Sequence, residues 1–449
     1  MKFPTTPRTT RLAATVALAA LAAGALAGCS SQASGQSTDD KITGKITVWS
    51  WTAPAKGLKA AVAGFEKLHP GTTVEVQDVG NPAIWDKITT GMAAGGAGLA
   101  DVLNIGIDYM GNYVEKFPGK LVDLRQYGAG KLESDFPAGA WKSGTGTGGQ
   151  VYGVPYEVNA TGFFYRTDLF RKAGIDVATI KTWDDLIAAG TVIKEKTGVP
   201  LLNMDKAATT ADSAGLWQLL TNQQNSFYFN AKGEITMNDA AGVKALTIIK
   251  KANDAGIVGN MPGSWDNLVA QMKGDKPVAT FTSGGWMAGE LPLDAPDMAG
   301  NWGVVKPPAV EAGGLTAAIN GGTYLSVAET SKNKATAAAF VKYALGTLDG
   351  QQTVYKAGGM FPGYKPFITS QDFSKPMAFY NGQRVNDIFI AQLAQKTPVV
   401  NYTSDYARAL KAYDDAQTQV LLSGADPQQA LDAAAKLVAQ QTGRKIATD

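Results

Sequence analysis

The sequence predicts an α/β fold spread over two lobes, on two observations. Short apolar strands alternate with amphipathic helical runs through residues 45–106. The chain has 449 residues; less a 28-residue leader, that leaves 421, more than a single hydrophobic core usually serves.

The elements follow in order. KITVWSW (45–51) is a strand that ends in aromatics. Leu58, Val62, Phe65 and Leu68 recur at helical spacing within 56–68. TVEVQDV (73–79) is a second strand, WDKITTGMAAG (85–95) a helix closed by glycine, and ADVLNIG (100–106) a third strand. This alternation predicts a parallel sheet with right-handed crossovers, and ligands in such sheets bind at the carboxyl ends of the strands. Those ends are Ser50-Trp51, residues 81–85, and Asp108-Tyr109. The stretch 152–175 is extended and then helical, carrying the chain elsewhere. TWDDLIAAGTVIKEKTG (182–198) opens with a capping pattern, Thr182 and Asp185. KPVATFTS (276–283), NWGVVKPP (301–308) and NGGTYLSVAE (320–329) are strands, and 331–346 is a helix. From about Phe379 to Gln441 the chain is helical, breaking at Gly424 and restarting after Asp426-Pro427.

The N-terminus holds the only cysteine. Lys2, Arg8 and Arg11 precede an apolar run to Gly28 that is too short and too small in side-chain volume to span a bilayer comfortably, the pattern of an export signal. Leu26-Ala27-Gly28-Cys29 matches a bacterial lipobox, in which cleavage falls before the cysteine and the thiol takes a diacylglyceryl group. Cys29 is therefore expected to be a lipid anchor, followed by a flexible polar tether over 29–42.

Composition excludes several chemistries. With the three basic residues of the leader removed, 38 Lys+Arg face 39 Asp+Glu, a balance that argues against nucleic acid. His69 is the only histidine, beside a turn signal, so histidine-dependent nucleophilic catalysis and His/Cys zinc sites have too few residues. No phosphate-binding glycine motif stands in the required strand–helix context. A carboxylate pair of the glycosidase kind stays open among 39 acids.

At GFFYRTDLFRKAGID and TWDDL the chain resembles the extracellular solute-binding proteins of sugar ABC importers, the group of the maltose-binding protein. FEKLHPGTTVEV, MKGDKPVATFTSGGW and NGGTYLSVAETSKNKATAAAFVKYAL extend the resemblance across residues 43–440. It implies a two-lobed periplasmic-binding-protein-like fold with the ligand cleft between the lobes. One lobe comprises 43–157 and 314–348, the other 160–308 and 364–445, with three crossover segments near 155–159, 307–314 and 349–363. Hinge closure is the implied motion.

The resemblance also nominates ligand residues. Sugars present hydroxyls around an apolar C–H face, so a site needs aromatic planes and fixed polar groups. Trp51, Trp85, Tyr109, Trp217, Trp286 and Tyr402 are the candidate planes; Trp217 lies on a helix where core packing competes. Asp108, Glu157, Asn81 and Asn159 are the candidate polar contacts, with helix capping open for Asp108 and a turn role open for Asn81. Gly285 and Gly322 would let the backbone approach ligand, a plain tight turn being the other reading of Gly285. Phe361 and Arg384 are weaker nominations. The implied protein is a monomer that binds a saccharide, needs no cofactor or metal, catalyses nothing, and hands its ligand to ABC permease subunits at the outer face of the membrane. A peptide or polyamine ligand is the alternative within binding proteins, and a secreted glycoside hydrolase the alternative outside them.

Overall fold

A computed structural model of the chain describes residues 41–209, 211–395 and 400–448. The expected leader, the anchor Cys29 and the tether up to residue 40 lie outside the described residues.

Among the described residues nine strands form: β1 (Gly44–Ser50), β2 (Thr72–Asp78), β3 (Val102–Gly106), β4 (Val154–Arg166), β5 (Leu202–Met204), β6 (Val258–Asn260), β7 (Thr280–Gly284), β8 (Trp302–Val305) and β9 (Ile319–Val327). Seven make one sheet in the order β2-β1-β3-β9-β4-β7, with β8 also on β4; β5 and β6 form a parallel pair. Within the seven-stranded sheet the parallel pairings are those of β1 with β2 and with β3. The parallel pairing expected for the strands of residues 45–106 forms, and β9 joins them running antiparallel to both β3 and β4.

β4 is the spine of the molecule. Its first half pairs with β9, and from Thr161 onward it pairs with β7 and β8. Its thirteen residues are almost continuously buried, the pattern of a strand covered on both faces. Register shifts between Pro155 and Glu157 and between Val158 and Ala160 bend it where it passes between lobes.

Helices cover the sheet for local reasons that the sequence displays. In Thr52–Leu68 the buried side is Ala53, Leu58, Ala61 and Phe65, with Phe65 edge-on to Phe340 at 5.3 Å. Trp183–Thr197 starts on a capping box, Thr182 accepting from the Asp185 N–H at 3.2 Å and Asp185 accepting from the Thr182 N–H at 2.8 Å. Tyr406–Ser423 ends at Gly424 in the left-handed region, and Pro427–Thr442 restarts with Asp426 as N-cap.

Two crossings differ from expectation. Residues 307–314 stay within the second lobe, where Ala309 and Thr182 form a bridge and the Trp183 N–H bonds the Ala309 carbonyl at 3.1 Å. The second crossing is instead the start of β9, where the Ala318 carbonyl accepts from the Thr161 N–H at 3.0 Å and Gly322 sits opposite Val158. The helix Leu348–Gly358 belongs to the first lobe, because it packs on Thr52–Leu68 so closely that a Cβ on Gly57 would lie 2.8 Å from the Val354 carbonyl oxygen. The third crossing is the short run 359–363, tied to β4 by the Val158 N–H on the Phe361 carbonyl at 3.1 Å and by the Glu157–Pro362 bridge.

Among the described residues no helix is long and apolar enough to cross a membrane, and no cluster of His, Cys, Asp or Glu is arranged to hold a metal ion.

Candidate functional site

The first crossing and the start of β9 border a small cavity of about 40 Å³, lined among others by Ile107, Ala140, Glu157, Gly322, Tyr324 and Val400. That is far below the roughly 300–1,000 Å³ of small-molecule sites, so the cavity is a narrow recess of the cleft and not a formed ligand chamber. Its walls come from both lobes, since Ile107 starts the helix after β3 and Val400 precedes the helix Tyr406–Ser423.

On the first lobe the strand-end aromatics act as one unit. Trp85 stacks on Tyr109 with ring centroids 4.6 Å apart and planes 12° from parallel, and Trp51 meets Trp85 edge-on at 5.1 Å. One face of Trp85 is thus spent on Tyr109, so Trp51, Trp85 and Tyr109 form a single half-buried platform rather than three independent ones. Asn81 accepts the Trp85 indole N–H at 3.0 Å, so its side chain orients this platform. Asp108 is in the first turn of Ile107–Lys116 while Gly106 is the N-cap, so the helix-cap reading of Asp108 is not what forms. Its carboxylate lies over Gly106, where a Cβ would be 2.5 Å from Asp108 Oδ1 and 3.3 Å from the Trp85 ring.

The second lobe answers with Tyr402 and Tyr406, edge-on to each other at 4.7 Å. Burial, and after it the charge of Asp108, pushes the Tyr402 phenol up, which places this ring within reach of the Asp108 field. The lobes meet where the Tyr402 carbonyl oxygen lies 2.2 Å from the position of a Cβ on Gly111. Gln218 donates to the Tyr406 hydroxyl at 2.9 Å and fixes that ring.

Between the lobes, Glu157 is 7 % exposed. Its Oε1 accepts from Thr323 Oγ1 at 3.2 Å, and its buried Oε2 has no hydrogen-bond partner among the described residues. Burial pushes this carboxyl up to about 7, against hydrogen bonds from Asn159 and Thr323 that pull it down. Asn159, fully buried, accepts the Trp286 backbone N–H at 3.2 Å and so pins the turn that carries the half-buried Trp286 ring. Gly322 lines the cavity at φ +137°, a conformation that excludes an L side chain.

One nomination is corrected. Trp217 is fully buried, donates its indole N–H to the Gly242 carbonyl at 2.9 Å, and packs on Tyr228 and Tyr413. It is core, because its helix turns that face toward Tyr406–Ser423 rather than toward the cleft. Gly285 faces Phe361, whose ring and Cβ would lie 3.0–3.1 Å from an added Cβ, so a side chain here would collide with the third crossing.

Sequence reasoning did not single out Tyr406 or Glu290, which pack beside nominated residues. The spacing of Tyr402 and Tyr406, four apart into a helix, was the available signal for the first. Glu290, buried one turn beyond Trp286, is pushed up to about 7 by burial and then by Asp294 and Glu157, with Lys56 opposing; nothing local marked it.

Compared with known proteins, residues 49–347 match the family described as bacterial extracellular solute-binding protein. The chain is 30% identical over 375 residues to the lactose-binding protein of Rhizobium radiobacter, covering 80% of this chain and 84% of that one. It is 26% identical over 434 residues to the arabinooligosaccharide-binding protein of Bacillus subtilis (strain 168), covering 91% and 94%. Its fold superposes with a TM-score of 0.76, at 24% identity and covering 90% and 100%, on the ABC transporter associated binding protein from B. animalis subsp. lactis Bl-04, solved in complex with beta-1,6-galactobiose.

Proposed function

This chain belongs to the bacterial extracellular solute-binding proteins, a family of binding proteins rather than enzymes, and from that premise we propose that it captures a saccharide, an oligosaccharide above all, in the cleft between its lobes. The observation that supports the reading is a half-buried aromatic platform, Trp51, Trp85 and Tyr109, next to Ile107, which lines the same cavity as Glu157, whose buried Oε2 has no hydrogen-bond partner among the described residues. The platform suits the C–H face of a sugar ring. The oxygen suits a hydroxyl donor, and leaving such an acceptor unmade costs about 1–3 kcal/mol. Asp108, Asn159, Trp286, Gly322 and Tyr402 complete the proposed contacts, with Asn81 acting through Trp85. Relatives named for lactose and for arabinooligosaccharides support the same ligand class.

The protein acts by closing around its ligand and presenting it to an ABC permease, held at the outer membrane face by lipid on Cys29. Replacing Cys29 with serine should release the protein from the membrane fraction, and retention there would overturn the anchor.

The test of the ligand is a thermal-shift panel on the soluble chain beginning after Cys29. Lactose, galactobioses and arabinooligosaccharides are compared with peptides and polyamines. A ligand at a hundred times its dissociation constant adds about 2.7 kcal/mol to native stability. A rise in melting temperature with one saccharide series, lost in Trp85→Ala, is the expected result. A rise only with peptides or polyamines overturns the saccharide.

A further inference from the structure

Trp265 is the most exposed tryptophan-sized hydrophobic among the described residues, at 45 %. It stands at the start of the helix Trp265–Lys273, after a loop that is held in place: Ser264 accepts from the Asn267 N–H at 3.1 Å, and Asn267 Nδ2 donates to the Pro262 carbonyl at 2.8 Å. Its ring lies 6.2 Å from that of Trp286, tilted by 36°.

Trp286 is the inner member of this pair. Its backbone is bound to Asn159 on the first crossing, Gly284 beside it abuts the Asn320 carbonyl on the second, and Gly285 abuts Phe361 on the third. Trp265 is the exposed neighbour of this ring, on a different element, the helix Trp265–Lys273. The two rings are too far apart and too tilted to cover each other as Trp85 and Tyr109 do at 4.6 Å and 12°. Single exposed apolar residues need no explanation, but two adjacent tryptophans, one exposed and one half-buried, form a patch. Their step is of the order of one sugar unit in an extended oligosaccharide.

We propose that Trp265 is an outer aromatic subsite of this cleft, one unit beyond Trp286, and that it makes the protein favour longer saccharides over short ones. The proposal rests on the saccharide reading above. The inner units meet Trp286 and the crossings, and the ring of the next unit lies on Trp265.

The experiment is titration calorimetry of the wild type, Trp265→Ala and Trp265→Tyr against a homologous series from one to five units, arabinooligosaccharides and β-1,6-galactooligosaccharides being the probes. In the wild type, affinity steps up at the length that reaches Trp265. Trp265→Ala removes that step, about three- to tenfold, and leaves shorter members unchanged. Trp265→Tyr keeps most of it. Because the side chain is exposed, the unliganded melting temperature of the alanine variant stays within a degree or so of the wild type. Equal weakening at all lengths, or no weakening at any, overturns the subsite. If the wild type binds no saccharide of any length, the saccharide reading itself falls, and the subsite with it.

Discussion

Replacing Gly111 with alanine should separate folding from ligand capture. Gly111 lies inside the helix Ile107–Lys116, where alanine is favoured over glycine by about 0.5–1 kcal/mol. The added Cβ, however, would lie 2.2 Å from the Tyr402 carbonyl oxygen on the opposite lobe, a distance below the 3.0 Å that real Cβ atoms respect. The shortfall is about 0.8 Å, and the neighbouring atom is backbone, so no side-chain rotation relieves it. Either the lobes stay apart at this point or the backbone before Tyr406–Ser423 shifts. Overpacking of this kind costs about 1–3 kcal/mol, which corresponds to roughly 5- to 150-fold in dissociation constant if closure bears all of it. An open form escapes the collision and keeps the helix gain. The expected result is therefore an unliganded melting temperature equal to or above the wild type, together with weaker binding by calorimetry and a larger radius of gyration with saturating ligand in small-angle scattering. Binding within twofold of the wild type, with an unchanged scattering profile, would refute the claim that the lobes must meet at Gly111 to hold ligand.

Other perturbations test single residues. Glu157 rises from 4.5 to about 7 on folding, so its bound proton stabilises the native state below the ordinary carboxylate range, and that stability is lost as the pH rises toward 7. Denaturant titrations at pH 5, 6, 7 and 8 should show stability falling up to about 7, and Glu157→Gln and Glu290→Gln should each flatten part of the fall, with Asp414, raised to about 6 by burial, contributing at the lower end; an unaltered slope in both variants would count against burial as the cause. Thr182→Ala removes one half of the capping box and should lower stability by about 1 kcal/mol, read as a shift in the urea midpoint at constant slope with unchanged ligand affinity. Trp217→Phe leaves the buried Gly242 carbonyl without its indole donor and should cost about 1–3 kcal/mol of stability while the folded protein binds as before; a selective loss of binding would return Trp217 to the cleft.

Local features of the fold were legible in the chain. Thr182 with Asp185, and Asp426 before Pro427, mark helix starts because the side chains that satisfy a helix's first N–H groups sit within a few residues of them. β1, β3 and β9 lie within stretches that alternation and apolar runs had marked as strands. The strand-end aromatics were legible for the same reason, since a ligand-facing position at a strand's carboxyl end is a local coordinate. Tertiary structure alone decided the rest. β9 could not be read as antiparallel, nor the second crossing moved to 318–322, because strand pairing joins residues far apart in sequence and leaves no mark in either one. Trp217 and Trp265 are the same side chain on similar helical runs, one fully buried among Tyr228 and Tyr413 and the other 45 % exposed beside Trp286. Gly285 is a turn glycine in sequence and a seat for Phe361 in space. Periodicity states which residues share a face. Which surface that face meets is set by the summed packing of the whole chain, and so the cleft exists only once both lobes have closed their own cores around it.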